Sequence, residues 1–265
     1  MQVDHWTVVV WRGSLQFLGL LLLISLVYRQ RTFEVFRSIG TLGLLLATVF
    51  CFSTILFIIS VSYTLVANTL VILASAPFFA AVFSLIFLKE AVGRHTWIAI
   101  FVAFAGIALL TLDSSGSGSL MGDLAALGVA TLMGAYFTIV RASREVNMIP
   151  AMAVSGIMAA SVALPFAAFP DMSETQMLAG GAMGFIVAPL SFALITIGPR
   201  YLPAPEVSLL LLIETVLGPL WVWMVISEEP GFYSLIGGAV VVTTLFLHSM
   251  YSLQRYRRRN AVAKG

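Results

Sequence analysis

Residues 38–88 read SIGTLGLLLATVFCFSTILFIISVSYTLVANTLVILASAPFFAAVFSLIFL and contain no Asp, Glu, Lys, Arg or His in 51 positions. A membrane-spanning helix needs about 20 apolar residues, each rising about 1.5 Å, to cross the roughly 30 Å hydrocarbon core. The stretch is therefore long enough for two spans. Both must be helical, because lipid offers no hydrogen-bond partners to backbone N–H and C=O groups.

The composition of the whole chain agrees with this and excludes other classes. Of the 265 residues, 60% are hydrophobic and 10% are charged, and the mean hydropathy is +1.02. Soluble domains are about 45–50% apolar and about 25% charged, so a soluble globular fold and a disordered chain are excluded. A net charge of +2 is too small for a nucleic-acid-binding protein. A single cysteine, Cys51, rules out an intramolecular disulfide and a cysteine-cluster metal site.

Apolar runs separated by breaker residues predict an all-α membrane bundle of nine helices. The connections between them are too short to hold a separate soluble domain. The predicted helices cover residues 6–28, 38–60, 64–88, 95–111, 120–140, 149–168, 177–197, 204–226 and 232–253.

The basic residues predict the orientation of this bundle. Thirteen of the 14 Lys and Arg residues follow the odd-numbered helices, and the connections on the opposite side contain none. Cytoplasmic connections carry an excess of Lys and Arg. The C-terminus, with its basic tail at 254–265, is therefore expected in the cytoplasm and the N-terminus outside. The remaining basic residue, Arg12, lies inside the first span.

Two parts of the chain resemble each other at an offset of 138 positions. The matched pairs are Glu90 with Glu228, Gly93 with Gly231, Ile98 with Ile236 and Val102 with Val240. Five helices separate the two copies, so an odd number of crossings inverts one copy relative to the other. Inverted repeats are a common building rule of secondary transporters, whose substrate sites lie near the midplane. The predicted repeats are 1–112, with four helices, and 122–253, with five.

Several short motifs are similar to those of one transporter family. They are WR at 11–12, AP at 76–77, FLKE at 87–90, YLPAPEV at 201–207, LIET at 212–215, GPLW at 218–221, EEP at 228–230 and GG at 237–238. On these motifs and the topology, the chain resembles the EamA type of the drug/metabolite transporter superfamily. The resemblance covers essentially the whole chain.

The resemblance implies an inner-membrane exporter of amino acids or related metabolites in a bacterium, with protons as the coupling ion. Family members have ten helices with both ends in the cytoplasm, and the first of these is missing here. Either the true start lies upstream of Met1, or this is a nine-helix variant. A membrane interaction or regulatory protein without transport activity, or an inactive truncated transporter, is the alternative. The sequence does not set the oligomeric state.

Two acidic residues in the eighth helix are the first candidates for the transport path. Glu214 lies ten residues into the span that starts at Ala204, about 15 Å deep and near the midplane. A carboxylate there costs about 2.5–3.5 kcal/mol, so it is expected to be protonated, paired or facing water. Glu206 starts the same helix, where it either caps the helix or gates the substrate.

Further candidates are polar or aromatic residues in the spans. Arg12 either reaches outward to the interface or faces a cavity and attracts anionic groups. Asn68 and Tyr63 belong to a polar cluster that is either an outer hairpin or part of the path. Tyr136 and Trp221 either shape a cavity or pack structurally. The hinge candidates are Pro77, Gly218 and Pro219.

No chemistry-bearing motif favours an enzyme. A nucleophile–base set, a phosphate-binding loop and the spacing of a metal site are all missing from the sequence. We therefore predict no enzymatic activity, no cofactor, no metal and no transport powered by ATP. The expected partners are the lipid bilayer, a small-molecule substrate and protons, and no nucleic acid.

Overall fold

The computed structural model describes residues 4–110, 119–168, 178, 180–226 and 232–262. These residues form helices joined by short turns. The helices are α1 (His5–Tyr28), α2 (Thr32–Ser38), α3 (Gly40–Tyr63), α4 (Val66–Leu73), α5 (Ala76–Phe83), α6 (Arg94–Leu110), α7 (Leu120–Ala142), α8 (Ile149–Ala163), α9 (Gly180–Tyr201), α10 (Ala204–Ile226) and α11 (Phe232–Val262). Two of them contain or continue into a π-helical turn, Ser84–Leu88 after α5 and Met183–Val187 within α9.

The described helices confirm the predicted all-α membrane bundle. Seven helical segments are long and apolar enough to cross a membrane, with most of α4 and α5 counted as one segment. The helix α6 is apolar but shorter, and α10 has 23 residues and carries both Glu206 and Glu214. Over the described part of the chain, these segments together supply the nine predicted spans.

The third span differs from its prediction, because 64–88 is not one continuous helix. It is broken at Ala74 and Ser75, between the end of α4 at Leu73 and the start of α5. Pro77 explains the break. It has no N–H to donate to the carbonyl of Leu73, and its ring would clash with that carbonyl in a continuous helix. The Ser75 hydroxyl donates to the carbonyl of Ile72 at 2.6 Å, which satisfies one of the backbone groups freed by the break.

Three other boundaries also differ from the prediction. The sixth span leaves the α-helix at Ala163 and ends in a 3₁₀ turn at Leu164–Phe166, since Pro165 cannot continue the α-helical hydrogen bonds. The helix α11 continues beyond residue 253 to Val262, because the basic tail has no Gly or Pro there and Arg is a good helix former. The short helix α2 lies in a segment that the sequence left as a connection.

Three pairs of helices that correspond by the 138-residue offset pack closely against each other. The pairs are α1 with α8, α5 with α10, and α6 with α11. The helix α7 has no counterpart among the four spans of the first repeat, and it packs in the centre against α3, α5, α9 and α10. This arrangement surrounds α7 with helices from both repeats.

The connections predicted to lie on one side meet at one end of the bundle, here called the basic end. Arg141, at the end of α7, donates from Nε to Oε1 of Glu90, which follows α5, at 3.1 Å. Arg200, at the end of α9, donates to the backbone carbonyl of Arg144 at 2.8 Å. The basic end is therefore held by contacts between connections that follow the third, fifth and seventh spans.

Candidate functional site

A cavity of about 1150 Å³ opens between the two repeats. Its wall is formed by residues of α1, α3, α4, α5, α7, α9 and α10 and is mostly apolar. Small-molecule sites are typically about 300–1,000 Å³ and combine apolar walls with a few polar groups. The side chains that line it with hydroxyl or charged groups are Arg12, Ser53, Thr54, Ser191, Ser208, Glu214 and Thr215.

Glu214 faces this cavity from α10. Its neighbours in the wall, Ser208, Leu211, Leu212 and Thr215, recur at helical spacing and mark one face of α10. The Glu214 side chain is exposed, and among the described residues no basic side chain pairs with it. The carboxyl group is thus placed to meet a substrate or an incoming proton.

Arg12 enters the same cavity from α1. It is half-buried, and its guanidinium carbon lies 5.8 Å from the ring centroid of Phe192, another residue of the wall. An aromatic ring at this distance attracts a guanidinium group through its negative face. Of the two sequence hypotheses for Arg12, the structure places it in the cavity wall.

The break in the third span also lies on the cavity. Leu73, Ala74 and Ala76 belong to the wall, and Pro77 is buried in the first turn of α5. Broken helices at the midplane are a recurrent way of forming substrate sites in transporters. The N-terminus of α5, with Ala76 in the wall, brings the positive end of a helix dipole to the cavity, while the N–H groups of Phe78 and Phe79 donate to the carbonyl of Ser75.

Tyr136 supports the wall from behind rather than lining it. Its side chain is fully buried, and its hydroxyl shares a hydrogen bond with Oγ1 of Thr196 at 2.7 Å. Its ring lies 5.3 Å from that of Phe50, which does line the cavity. The sequence left open whether Tyr136 shapes a cavity or packs between helices. The structure places its side chain between helices, outside the cavity wall.

Tyr63 and Asn68 lie at the end of the bundle opposite the basic end. The amide of Asn68 donates to Oγ1 of Thr64 at 3.3 Å, and that hydroxyl donates to Oδ1 of Asp123 at 2.8 Å. Tyr63 is 48% exposed. Neither residue lines the cavity, which favours the hypothesis of a polar outer hairpin.

The remaining candidates belong to α10. Glu206 lies in its first turn, at the basic end and outside the cavity wall. Gly218, Pro219 and Trp221 fall within the helix, but their side-chain surroundings lie outside the described residues. The hinge role of Gly218 and Pro219 stays a prediction.

Sequence reasoning missed the hydroxyl groups of the wall. Ser191 and Ser208 are isolated in apolar runs, and Ser53 is next to Thr54 in another; hydroxyl residues in such runs equally suit close helix packing. Ser208 lies six residues before Glu214 on the same helix, about 120° away around its axis, so spacing alone did not place it beside Glu214. The position of the other two depends on how α3 and α9 face α10.

Comparison with known proteins places this architecture in a family. The model of the EamA-like transporter family matches residues 2–112 and again residues 120–250. The chain belongs to the EamA-like transporter family. It is thus a membrane transporter of small molecules, and the family model matches each half of the chain once.

A solved structure supports the fold. The chain is similar to one known as "Crystal structure of protein", with a TM-score of 0.79 over 94% of this chain and 88% of the other, at 15% sequence identity. At that identity the likeness is evidence for the fold alone. The comparison with curated proteins found no match.

Proposed function

We propose that this EamA family member is a secondary-active exporter of an amino acid or a related zwitterionic metabolite. The observation that carries the proposal is a single apolar cavity with a guanidinium group, Arg12, and a carboxyl group, Glu214, in its wall. An amino acid carries the complementary charges, a carboxylate for Arg12 and an ammonium for Glu214. Charge-assisted hydrogen bonds of this kind are about twice as strong as neutral ones.

The packing of the repeats supports a transport cycle of alternating access. Alternating access requires one set of helices to rock against another around a fixed site. The pairs α1–α8 and α6–α11 each join one helix of each repeat, and the α6–α11 pair packs against the cavity-lining helices α5 and α10. Protons are the proposed coupling ion, because Glu214 can bind either a proton or the ammonium group of the substrate.

The distribution of basic residues supports an orientation in the bacterial inner membrane. The basic end, with Arg141, Arg144 and Arg200, is proposed to face the cytoplasm together with the C-terminal end of α11. The N-terminus and the polar cluster around Asp123 are then outside. Cysteine-accessibility labelling of single-cysteine variants at either end of the bundle would test this orientation.

Transport by the purified chain tests the proposed function. The protein is reconstituted into liposomes with an imposed pH gradient, and the movement of labelled amino acids, matching amines and matching carboxylic acids is compared. We expect amino acids to move faster than in protein-free liposomes, and faster than analogues that lack one of the two charges. A chain that moves none of the panel above the protein-free rate would contradict transport of zwitterions.

Arg12→Gln is expected to raise the KM for amino acids by about 10- to 150-fold. A hydrogen bond to a charged group is worth about 1.5–3 kcal/mol, and every 1.4 kcal/mol corresponds to about a factor of ten. The matching amine lacks the carboxylate, so its transport should not respond to the substitution. The control variant is Arg12→Lys, which keeps the charge and should lose less affinity. Equal KM values for amino acids in the wild type and Arg12→Gln would remove Arg12 from the binding site.

A further inference from the structure

Three metal-ligating side chains meet outside the cavity, at the basic end of the bundle. They are His95 at the start of α6, Glu206 at the start of α10 and His248 near the middle of α11. The ring nitrogens and the carboxylate oxygen that they offer all lie within 4.8 Å of one another. Three separate helices thus bring two imidazoles and one carboxylate to a single point.

The two imidazole rings are held in place by their neighbours. They stack with 5.4 Å between centroids and 21° between planes, and the ring of Tyr251 lies 4.8 Å from that of His95. Oγ1 of Thr96 is 3.2 Å from Nε2 of His248, and both residues are buried. Hydrogen bonds from outside the ligand set orient metal-binding histidines in the same way.

The packing of α6 on α11 keeps these rings together. At Gly106 the two helices approach so closely that an added Cβ would lie 2.9 Å from a methyl group of Val241 and 3.1 Å from the carbonyl oxygen of Gly237. His95 and His248 therefore sit on two helices in direct contact. Glu206 reaches the same point from α10, and α10 packs against both α6 and α11.

The charged neighbour of Glu206 is already engaged elsewhere. Arg141 attracts the Glu206 carboxylate electrostatically, but its Nε donates to both carboxylate oxygens of Glu90, at 3.1 and 3.4 Å. The side chain of Ser252 is a further hydrogen-bond partner of the Glu206 carboxylate, and one carboxylate oxygen lies within 4.8 Å of a ring nitrogen of each histidine.

We propose that His95, Glu206 and His248 form a binding site for a divalent transition metal, best suited to Zn²⁺. Two imidazole nitrogens and one carboxylate oxygen are a ligand set that Zn²⁺ uses, with water as the fourth ligand. Zinc binds these atoms at about 2.0–2.2 Å, which in a tetrahedron puts ligands roughly 3.3–3.6 Å apart. Small rotations of the three side chains bring them from within 4.8 Å to that spacing.

A bound ion cross-links α6, α10 and α11 at the basic end. Because α10 also carries Glu214 in the cavity wall, the site ties the end of a cavity-lining helix to the α6–α11 pair. Metal binding therefore opposes any rocking that separates α10 from this pair, and zinc acts on the protein as a regulatory ion. The site itself does not depend on which substrate the cavity takes.

Zinc binding to the purified full chain tests this proposal. Tag-free protein in detergent is treated with a chelator and titrated with Zn²⁺ in competition with a chromogenic chelator. We expect one Zn²⁺ per chain in the wild type, and a Co²⁺ complex with the intense visible absorption of tetrahedral coordination. Losing an outer partner of a metal site costs about 10- to 100-fold in affinity, so His95→Gln and His248→Gln should each cost at least that much.

The third histidine of the chain provides the matched control. His5 lies at the opposite end of the molecule, 3.6 Å from Asp4, and His5→Gln should leave the affinity unchanged. Zinc binding that survives the double variant His95→Gln/His248→Gln, or that His5→Gln abolishes, would overturn the proposal.

A measurement on the wild type removes the risk that a variant fails to fold. Diethyl pyrocarbonate modifies histidine rings, and mass spectrometry reports each site separately. Saturating Zn²⁺ should slow the modification of His95 and His248 together and leave that of His5 unchanged. Unchanged modification rates at both His95 and His248 would also overturn the site. Neither readout uses transport, so failure of the metal site and failure of the proposed function are distinguished.

Discussion

Glu214→Gln should reduce proton-driven amino-acid transport in proteoliposomes at least about tenfold. Glutamine keeps the size of the side chain but can neither carry a negative charge nor release a proton. It therefore loses the charge-assisted contact with a substrate ammonium group, worth about 1.5–3 kcal/mol, and the proton-binding step as well. The position of Glu214 in the wall of the cavity is the reason for expecting a loss of this size.

The comparison of two assays separates the roles of Glu214. Exchange of labelled for unlabelled substrate requires binding and alternating access but no net proton movement. If exchange survives in Glu214→Gln while pH-driven transport is lost, the residue couples protons. If both are lost, it also binds the substrate.

The control for this variant is Glu34→Gln. Glu34 is an exposed carboxylate on α2, a short helix outside the apolar spans. Its neutralisation removes the same charge from the chain and should leave both assays at the wild-type rate. Wild-type rates for Glu214→Gln in both assays would exclude Glu214 from the mechanism.

Gly13→Ala should lower the free energy of unfolding by about 1–3 kcal/mol, the usual cost of overpacking. A Cβ built on Gly13 would lie 2.4 Å from the carbonyl oxygen of Gly156, and one built on Gly156 would lie 2.7 Å from that of Gly13. The backbones of α1 and α8 are in direct contact at this crossing. They must move apart to admit even one methyl group, because backbone atoms cannot rotate away.

Thermal unfolding in detergent measures this effect against a matched glycine. Gly180 is also helical, but nothing lies within 4 Å of a Cβ built on it. Gly180→Ala should therefore be neutral or slightly stabilising, since Ala is the better helix former. If the two variants unfold at the same temperature, the α1–α8 crossing tolerates separation and the close contact is not a determinant of stability.

The spans could be read from the sequence because lipid limits the choices. An apolar run such as 38–88 has only helices available to it, and their length follows from the thickness of the bilayer. The depth of Glu214 along α10 was predictable for the same reason, since it depends only on counting residues from the end of the helix. The cost of a carboxylate in lipid predicted only that it is protonated, paired or facing water.

The sequence was less informative wherever a property depends on which helix lies opposite. Pro77 is visible in the sequence, yet we predicted one continuous helix over 64–88. A proline within a span is compatible with either a kink or a break. The sequence left Tyr136 between two roles, which the hydrogen bond to Thr196 and the packing on Phe50 decided. Each of these outcomes depends on neighbours from other spans.

From the amino-acid sequence it was already certain that this chain is a helical membrane protein, and which residues are too polar to face lipid. The folded bundle was needed to show that Arg12 and Glu214 share one cavity and that His95, Glu206 and His248 converge at one point. The difference arises because the bilayer sets the length and polarity of a span, and it acts on each helix separately. The grouping of side chains is set by packing between helices that are distant in sequence.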